Sequence, residues 1–213
     1  MSVLKFPVPK LTVLVFGLLS TGAVFAQDAG LYEDVLDPNA AFVRVIAPSS
    51  MQVVVQTTSF SDLDSGVSPY VEITDPGEVR IAAGMAEATV TVTAGSFTTY
   101  LVGADGNGVI LKDAISGSPA QADVAFYNLS DKPLVDLYVP AAKAVAVPGV
   151  APNASGSVAL KAPLTLEFEA REGDTVLGKI AGVALKRREG VTIILRGSAG
   201  SYELVSAPNS VAR

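Results

Sequence analysis

The 213-residue sequence contains no cysteine, no histidine and no tryptophan. Without cysteine there are no disulfides, no thiolate nucleophile and no zinc–sulfur site. Without histidine the usual general base near neutral pH and the commonest metal ligand are gone. Catalysis by Ser–His–Asp or Cys–His groups is thereby excluded. No catalytic residue and no cofactor or metal site is assigned. Also missing are long runs of Leu, Glu, Lys and Arg at helical spacing, so packed helices are not expected.

What is present suits short strands joined by turns. Val, Thr, Ala and Gly crowd the chain, and 13 Pro and 19 Gly punctuate it. With 49% hydrophobic residues there is ample material for a core, and the main body is not expected to be disordered. Lys5 and Lys10 precede the apolar run Leu11 to Leu19, followed by Ser20-Thr21-Gly22-Ala23-Val24-Phe25-Ala26. This pattern predicts a signal peptide over residues 1–26, cleaved after Ala26, because the apolar run is shorter than the roughly 20 residues a membrane span needs. No later segment is expected to cross a membrane. The remainder carries 13 basic and 21 acidic side chains, a net charge of −8. Residues 27–117 hold −9 of it and residues 118–213 carry +1. So acidic a first half argues against nucleic acid as a partner.

Two halves are predicted, residues 27–115 and 122–213, joined by the small, polar stretch from Asp113 to Gln121. Val43-Arg44-Val45-Ile46-Ala47-Pro48-Ser49-Ser50 aligns with Val124-Ala125-Phe126-Tyr127-Asn128-Leu129-Ser130-Asp131, and Phe97 to Gly103 aligns with Val191 to Gly197. The offsets of 81 and 94 residues imply loops of different length in two related halves. Val90-Thr91-Val92-Thr93 and Leu164 to Glu169 alternate as strands do. Asp75-Pro76-Gly77, Ala104 to Gly108 and Arg171-Glu172-Gly173-Asp174 read as turns between such runs. Their spacing of about 8–12 residues is the rhythm of a β-sandwich. The expected architecture is all-β: two tandem β-sandwich (Ig-like) domains after the signal peptide.

Among polar residues, Lys186, Arg187 and Arg188 form the one basic cluster, with Lys179 and Arg196 near in sequence. They are the candidate contact for an acidic partner surface or a carboxylated glycan. Strand alternation and the following Glu189 favour the plainer reading, a solvated strand end. Asp62 to Gly66 and Asp105 to Gly108 look like fragments of calcium loops, yet neither has the late bidentate carboxylate such a loop requires, so both read as polar turns. Asn128-Leu129-Ser130 and Asn153-Ala154-Ser155 fit the glycosylation pattern incidentally. Glu167 and Glu169 are expected on one solvent-facing side of a strand, away from any cleft, and with Glu172 do not suggest glycosidase chemistry.

Leu31-Tyr32, Pro38 and Ala41-Phe42-Val43-Arg44-Val45 resemble the opening of the AlgF family of alginate O-acetylation accessory proteins. Tyr127-Asn128-Leu129-Ser130-Asp131-Lys132-Pro133-Leu134 is similar to that family's second-half motif nearly letter for letter. Weaker similarity continues through Val183-Ala184-Leu185 to Val211-Ala212-Arg213, while Ile46-Ala47 stands where the family tends to show Tyr-Asn. The resemblance implies a two-domain β protein of the periplasm with no catalytic motif. It would act as an adaptor in exopolysaccharide O-acetylation, between a periplasmic O-acetyltransferase and a membrane-bound acyltransferase, and could touch the polysaccharide itself. The competing readings are an envelope carbohydrate-binding module and a structural, adhesin-like surface protein. Sugar-binding faces usually display aromatic rings, and this chain has few.

Overall fold

The computed structural model describes residues 36–103 and 106–212. The targeting segment expected over residues 1–26 lies outside the described residues. The first half contributes eight strands: β1 (Ala41–Ile46), β2 (Val53–Val55), β3 (Thr58–Phe60), β4 (Val71–Ile73), β5 (Glu78–Ala83), β6 (Ala86–Thr91), β7 (Phe97–Val102) and β8 (Gly108–Asp113). The second half contributes eight more: β9 (Gln121–Ser130), β10 (Val135–Val139), β11 (Ala144–Val150), β12 (Ala154–Lys161), β13 (Leu164–Glu172), β14 (Thr175–Leu185), β15 (Gly190–Ser198) and β16 (Ser201–Asn209). The only helical element among the described residues is a single 3₁₀ turn, Pro140–Ala142. No helix there is long and apolar enough to cross a membrane.

The strands form four sheets of four. Their orders are β4-β1-β7-β8 and β3-β2-β5-β6 in the first half, β12-β9-β15-β16 and β11-β10-β13-β14 in the second. Adding eight to each strand number converts one half into the other. Each half is a sandwich built around one core. In the first, Val43 and Val45 of β1 meet Val53 and Val55 of β2, Val79 and Ile81 of β5 and Tyr100 of β7. In the second, Val124 and Phe126 of β9 meet Leu137 of β10, Phe168 of β13 and Ile193 and Leu195 of β15.

The two sandwiches pack on each other through the sheets containing β1 and β9, so these inner sheets are covered on both faces. Successive side chains of a strand point to opposite faces. Val43 and Val45 therefore enter the first core while Arg44 and Ile46 turn toward the second sandwich. Likewise Val124 and Phe126 enter the second core while Ala125 and Tyr127 turn back. Ile46, Leu101, Ala125, Tyr127, Ile194 and Ala207 make the apolar contact between sandwiches. Each fully buried aliphatic side chain there contributes about 1.5–3 kcal/mol. The C-terminal end adds a strap: Tyr70 N–H donates to Ser210 O, and Ala212 N–H donates to Tyr70 O.

In the stretch between β8 and β9, Ser116 and Gly117 N–H both donate to the Asp123 carboxylate. Two features differ from expectation. Arg171 and Glu172 belong to β13, and the hairpin turn is the two residues Gly173-Asp174, with Gly173 at φ 58°. That positive φ is the backbone state glycine adopts at no steric cost. The second repeat alignment is one residue out of register. Pairing of Val43 with Thr98 and of Val124 with Val191 makes Thr98, not Phe97, the counterpart of Val191. Phe97 stacks on Phe42 outside the core, whereas Val191 lies inside one. A one-residue slip exchanges the two faces of a strand.

Candidate functional site

Arg44 sits in the middle of the apolar strand β1, and its side chain is fully buried. A charge there requires compensation from every direction. Its Nε donates to Thr99 Oγ1 at 2.9 Å and its Nη2 to Tyr127 Oη at 2.9 Å. Nη1 donates across the interface to Thr192 Oγ1 at 2.7 Å and Asn209 Oδ1 at 2.9 Å. The guanidinium also lies 4.4 Å from the centre of the Tyr70 ring, a cation–π distance. The balancing carboxylate is Asp113 at the end of β8, 3.8 Å from Nη2. Asp113 is held by three hydroxyl donors: Thr99 at 2.5 Å, Tyr70 at 2.7 Å and Tyr127. Tyr127 therefore bridges the ion pair, accepting from Arg44 and donating to Asp113 beside their direct approach.

The pair bonding places equivalent residues of the two halves around this arginine. With Phe97 matched to Gly190, Thr99 corresponds to Thr192, and Asp113 corresponds to Asn209, since Phe97 pairs with Asp113 and Gly190 with Asn209. A Cβ at residue 190 would collide with Asn209 Nδ2, so glycine there leaves the Asn209 side chain in place beside Arg44. Burial by itself pushes the Arg44 guanidinium toward neutrality, but Tyr127, Tyr70 and Asp113 outweigh it and hold the cation in its charged form. Burial raises the Tyr127 phenol to about 12, with Arg44 opposing and Asp113 adding to the rise. Tyr70 is raised well above its ordinary value for the same reasons. Both phenols thus remain protonated donors to Asp113. The assembly is closed and its charges are matched, with the buried Asn209 Nδ2 alone in it lacking a partner, and its chemistry is that of a latch between sandwiches.

The motif from Tyr127 to Leu134 is also spent on structure. Asn128 is fully buried; its Nδ2 donates to Lys132 O (3.0 Å) and Val150 O (2.9 Å), and its Oδ1 accepts from Ser130 N–H and O–H. It is therefore not accessible to a glycan. Asp131 accepts from Ala199 N–H and Tyr202 O–H, which hold its carboxyl below the usual range. Lys132 pairs with Glu172 at 2.6 Å, tying the β9–β10 turn to β13.

Lys186, Arg187 and Arg188 occupy the exposed turn between β14 and β15. Lys186 pairs with Glu189 at 3.2 Å, Arg187 Nε donates to Ala162 O at 3.0 Å, and Arg188 adopts φ 62° with its N–H on Gln121 O. Lys179 and Arg196 do not join them. Lys179 pairs with Glu169, and Arg196 donates to Ser65 O at 2.8 Å. The cation brought beside the turn is instead Lys161, since Lys161 pairs with Gln121 and Ala162 receives Arg187. Glu169 corrects the expectation of a solvent-facing carboxylate: its side chain is only 4% exposed. The stems of Lys179 and Arg171 cover it, and hydrogen bonds from Lys179 first and Arg171 second lower its pKa. Arg171 in turn lies 3.5 Å above the Tyr138 ring.

In the stretch from Asp62 to Gly66, the Ser65 hydroxyl donates to Asp64, and Gly66 N–H donates to Leu63 O, which closes a polar turn. Among the described residues no three acidic side chains converge to hold a metal. None of the ten aromatic residues described is exposed. Arg44 stands in the family-like stretch Ala41 to Val45 but is not among the candidate contacts that the sequence offers. Its signal was there: a lone cation inside the run Ala40 to Ala47, which is apolar on both strand faces.

Fold and site together define an all-β protein of two sandwiches with one topology, locked by a buried charge network. The family model described as "Alginate O-acetyl transferase AlgF" matches residues 14–192, and the chain belongs to this family. "Alginate biosynthesis protein AlgF" of Pseudomonas fluorescens is 26% identical over 185 residues, covering 86% of this chain and 84% of that protein. Its namesake in Azotobacter vinelandii is 25% identical over 194 residues, covering 90% and 88%. Among solved structures, the C-terminal domain of AlgF from P. aeruginosa aligns with 42% of this chain and 99% of its own at 24% identity, with a TM-score of 0.38. A putative cell adhesion protein from Bacteroides ovatus aligns with 84% of this chain and 99% of its own at 10% identity, with a TM-score of 0.30.

Proposed function

We propose that this chain is a non-catalytic periplasmic adaptor in exopolysaccharide O-acetylation of the alginate type, bridging a periplasmic O-acetyltransferase and a membrane-bound acyltransferase. The observation that carries this reading is how the chain uses its distinctive polar residues. Arg44, Asp113, Tyr127 and Asn128 are buried in matched hydrogen bonds that fix one sandwich against the other. Membership of the AlgF family and the names of two relatives supply the pathway. The family's description contains the word transferase, but acyl transfer with an imidazole base cannot be run by a chain without histidine. Two sandwiches held at one fixed spacing suit a bridging role, in which docking a transferase raises its effective concentration near the acetyl donor. The exposed Lys186-Arg187-Arg188 turn is the first contact to test within this reading.

The alternative, an envelope carbohydrate-binding or structural β-sandwich protein, is less well supported. Sugar rings stack on exposed aromatic faces, and the aromatic residues described here are buried or partly covered. The decisive experiment deletes the gene and measures acetyl groups on the secreted polymer, alongside an assay of the purified chain with an activated acetyl ester. Loss of polymer acetylation with no acetyl transfer by the purified chain is the expected pair of results. Unchanged acetylation in the deletion strain, or transfer at a rate proportional to the concentration of this chain, overturns the proposal.

A further inference from the structure

One side of the second sandwich is open. Strand β11 bonds only to β10, and β12 bonds only to β9, so both stand at the edges of their sheets on the same side. Between them runs a groove of about 430 Å³. Its walls include Val145, Ala146, Val158, Leu160, Leu164 and Leu166. Val145 is 46% exposed and Leu164 47%, in a chain whose other large apolar side chains mostly lie inside cores. Lys161 is the one charged residue in the lining. Lys143 immediately precedes β11, and Arg187, bonded to Ala162 O, brings the Lys186–Arg188 turn to the same end. No acidic side chain lines the groove.

From this geometry we infer that the β11–β12 groove is a docking site for an extended segment of a protein partner, with apolar residues at alternate positions and acidic residues at one end. An edge strand presents a row of free N–H and C=O groups, the template for strand addition, and pockets beside it take every second side chain. From Ala144 to Val147, ahead of Pro148, β11 offers four residues of edge, at most about 13 Å at 3.3 Å per residue, with one bulge where its pairing to β10 steps from Val145 to Val147. The cations at one end supply charge complementarity and set the direction of the incoming strand. A sugar polymer is disfavoured because no aromatic ring lines the groove. A bilayer is disfavoured because the apolar residues line a recess instead of capping a projection. The proposal rests on the adaptor reading and names the face that reading requires.

The test titrates the full chain, lacking only residues 1–26, with capped nonapeptides alternating valine and threonine and ending in zero, one or two aspartates. Vesicles of phosphatidylglycerol serve as the competing probe. The expected result is binding that tightens about three-fold or more per aspartate at low salt, weakens at 1 M salt, and drops about ten-fold in Leu164→Glu. Lys161→Gln, a surface change, is expected to remove most of the aspartate dependence while leaving the zero-aspartate peptide unaffected. Because Leu164 is half exposed, Leu164→Glu is expected to keep the wild-type unfolding midpoint, and Val145→Glu serves as an independent probe of the same wall. Equal binding of all peptides to the wild type and to both wall variants, or vesicle binding that peptide does not displace, overturns the groove. Polymer acetylation measured in cells carrying Leu164→Glu separates the two ideas. Loss supports both. Retention, in a strain where deletion abolishes acetylation, removes the groove and leaves the adaptor standing.

Discussion

The two sandwiches share a strand order but not a charge. Where the first places Arg44 and Asp113, the second has Ala125 and Asn209, and only the threonine pair Thr99 and Thr192 is common to both. The buried ion pair therefore belongs wholly to the first sandwich, and the second meets it with neutral acceptors. The difference shows how an interface between like sheets is made specific. Charge is balanced on one side, so no net charge is carried across, while directed hydrogen bonds cross and fix the register.

The largest way to break this asymmetry is Arg44→Met, which leaves Asp113 charged and buried with no cation. A loss of about 3–5 kcal/mol is expected, read from urea denaturation. The double variant Arg44→Met with Asp113→Asn is expected to recover a substantial part of that loss. If it is as unstable as the single variant, the charge balance is not what matters. Next in size is alkaline pH. Folding raises the Tyr127 phenol from 10.0 to about 12, so its protonated form is favoured in the native state. Its contribution is complete below pH 10 and is lost as pH rises to about 12, amounting to about 2–3 kcal/mol. Denaturation midpoints should fall across that window and fall less in Tyr127→Phe; parallel curves would contradict the bridge.

Smaller effects sharpen the comparison between halves. Thr99→Val and Thr192→Val each leave an Arg44 N–H without its acceptor, at about 1–3 kcal/mol. Thr99→Val should cost more, because Thr99 also donates to Asp113 whereas Thr192 donates to neutral Asn209. Equal losses in matched urea titrations would erase that distinction. The smallest change is expected at the other carboxylate cluster. Glu169 lies against solvent-exposed partners, and Glu169→Gln should leave the midpoint unresolved from wild type at 0.5 M salt. Its lowered pKa means that whatever it adds is present above the ordinary carboxylate range and is lost as pH falls, the opposite direction from Tyr127.

Much of the fold was legible in the chain. Alternation in Leu164 to Glu169 and the turn residues around Gly173 pointed to β13 and its hairpin, and the match of Val43–Ser50 with Val124–Asp131 placed β1 and β9 on corresponding faces. The other match slipped by one residue, because Phe97 and Val191 are equally apolar while facing different layers. The motif from Tyr127 to Leu134 was visible as a family resemblance, yet its letters do not say that Asn128 closes a turn or that Tyr127 reaches Asp113. Glu169 was misplaced because alternation counts faces and does not register the cationic stems that cover one of them.

The amino-acid sequence by itself determined that this chain is made of strands in two halves and that it has neither imidazole nor thiol, since those follow from composition and a period of two. Tertiary structure decided which face of β1, β9 and β15 enters a core and which enters the interface. A strand buried on both sides carries apolar residues at every position, so its pattern is silent about what covers each side. Only the packing of one sandwich on the other made Arg44 a buried cation and gave it partners from both halves.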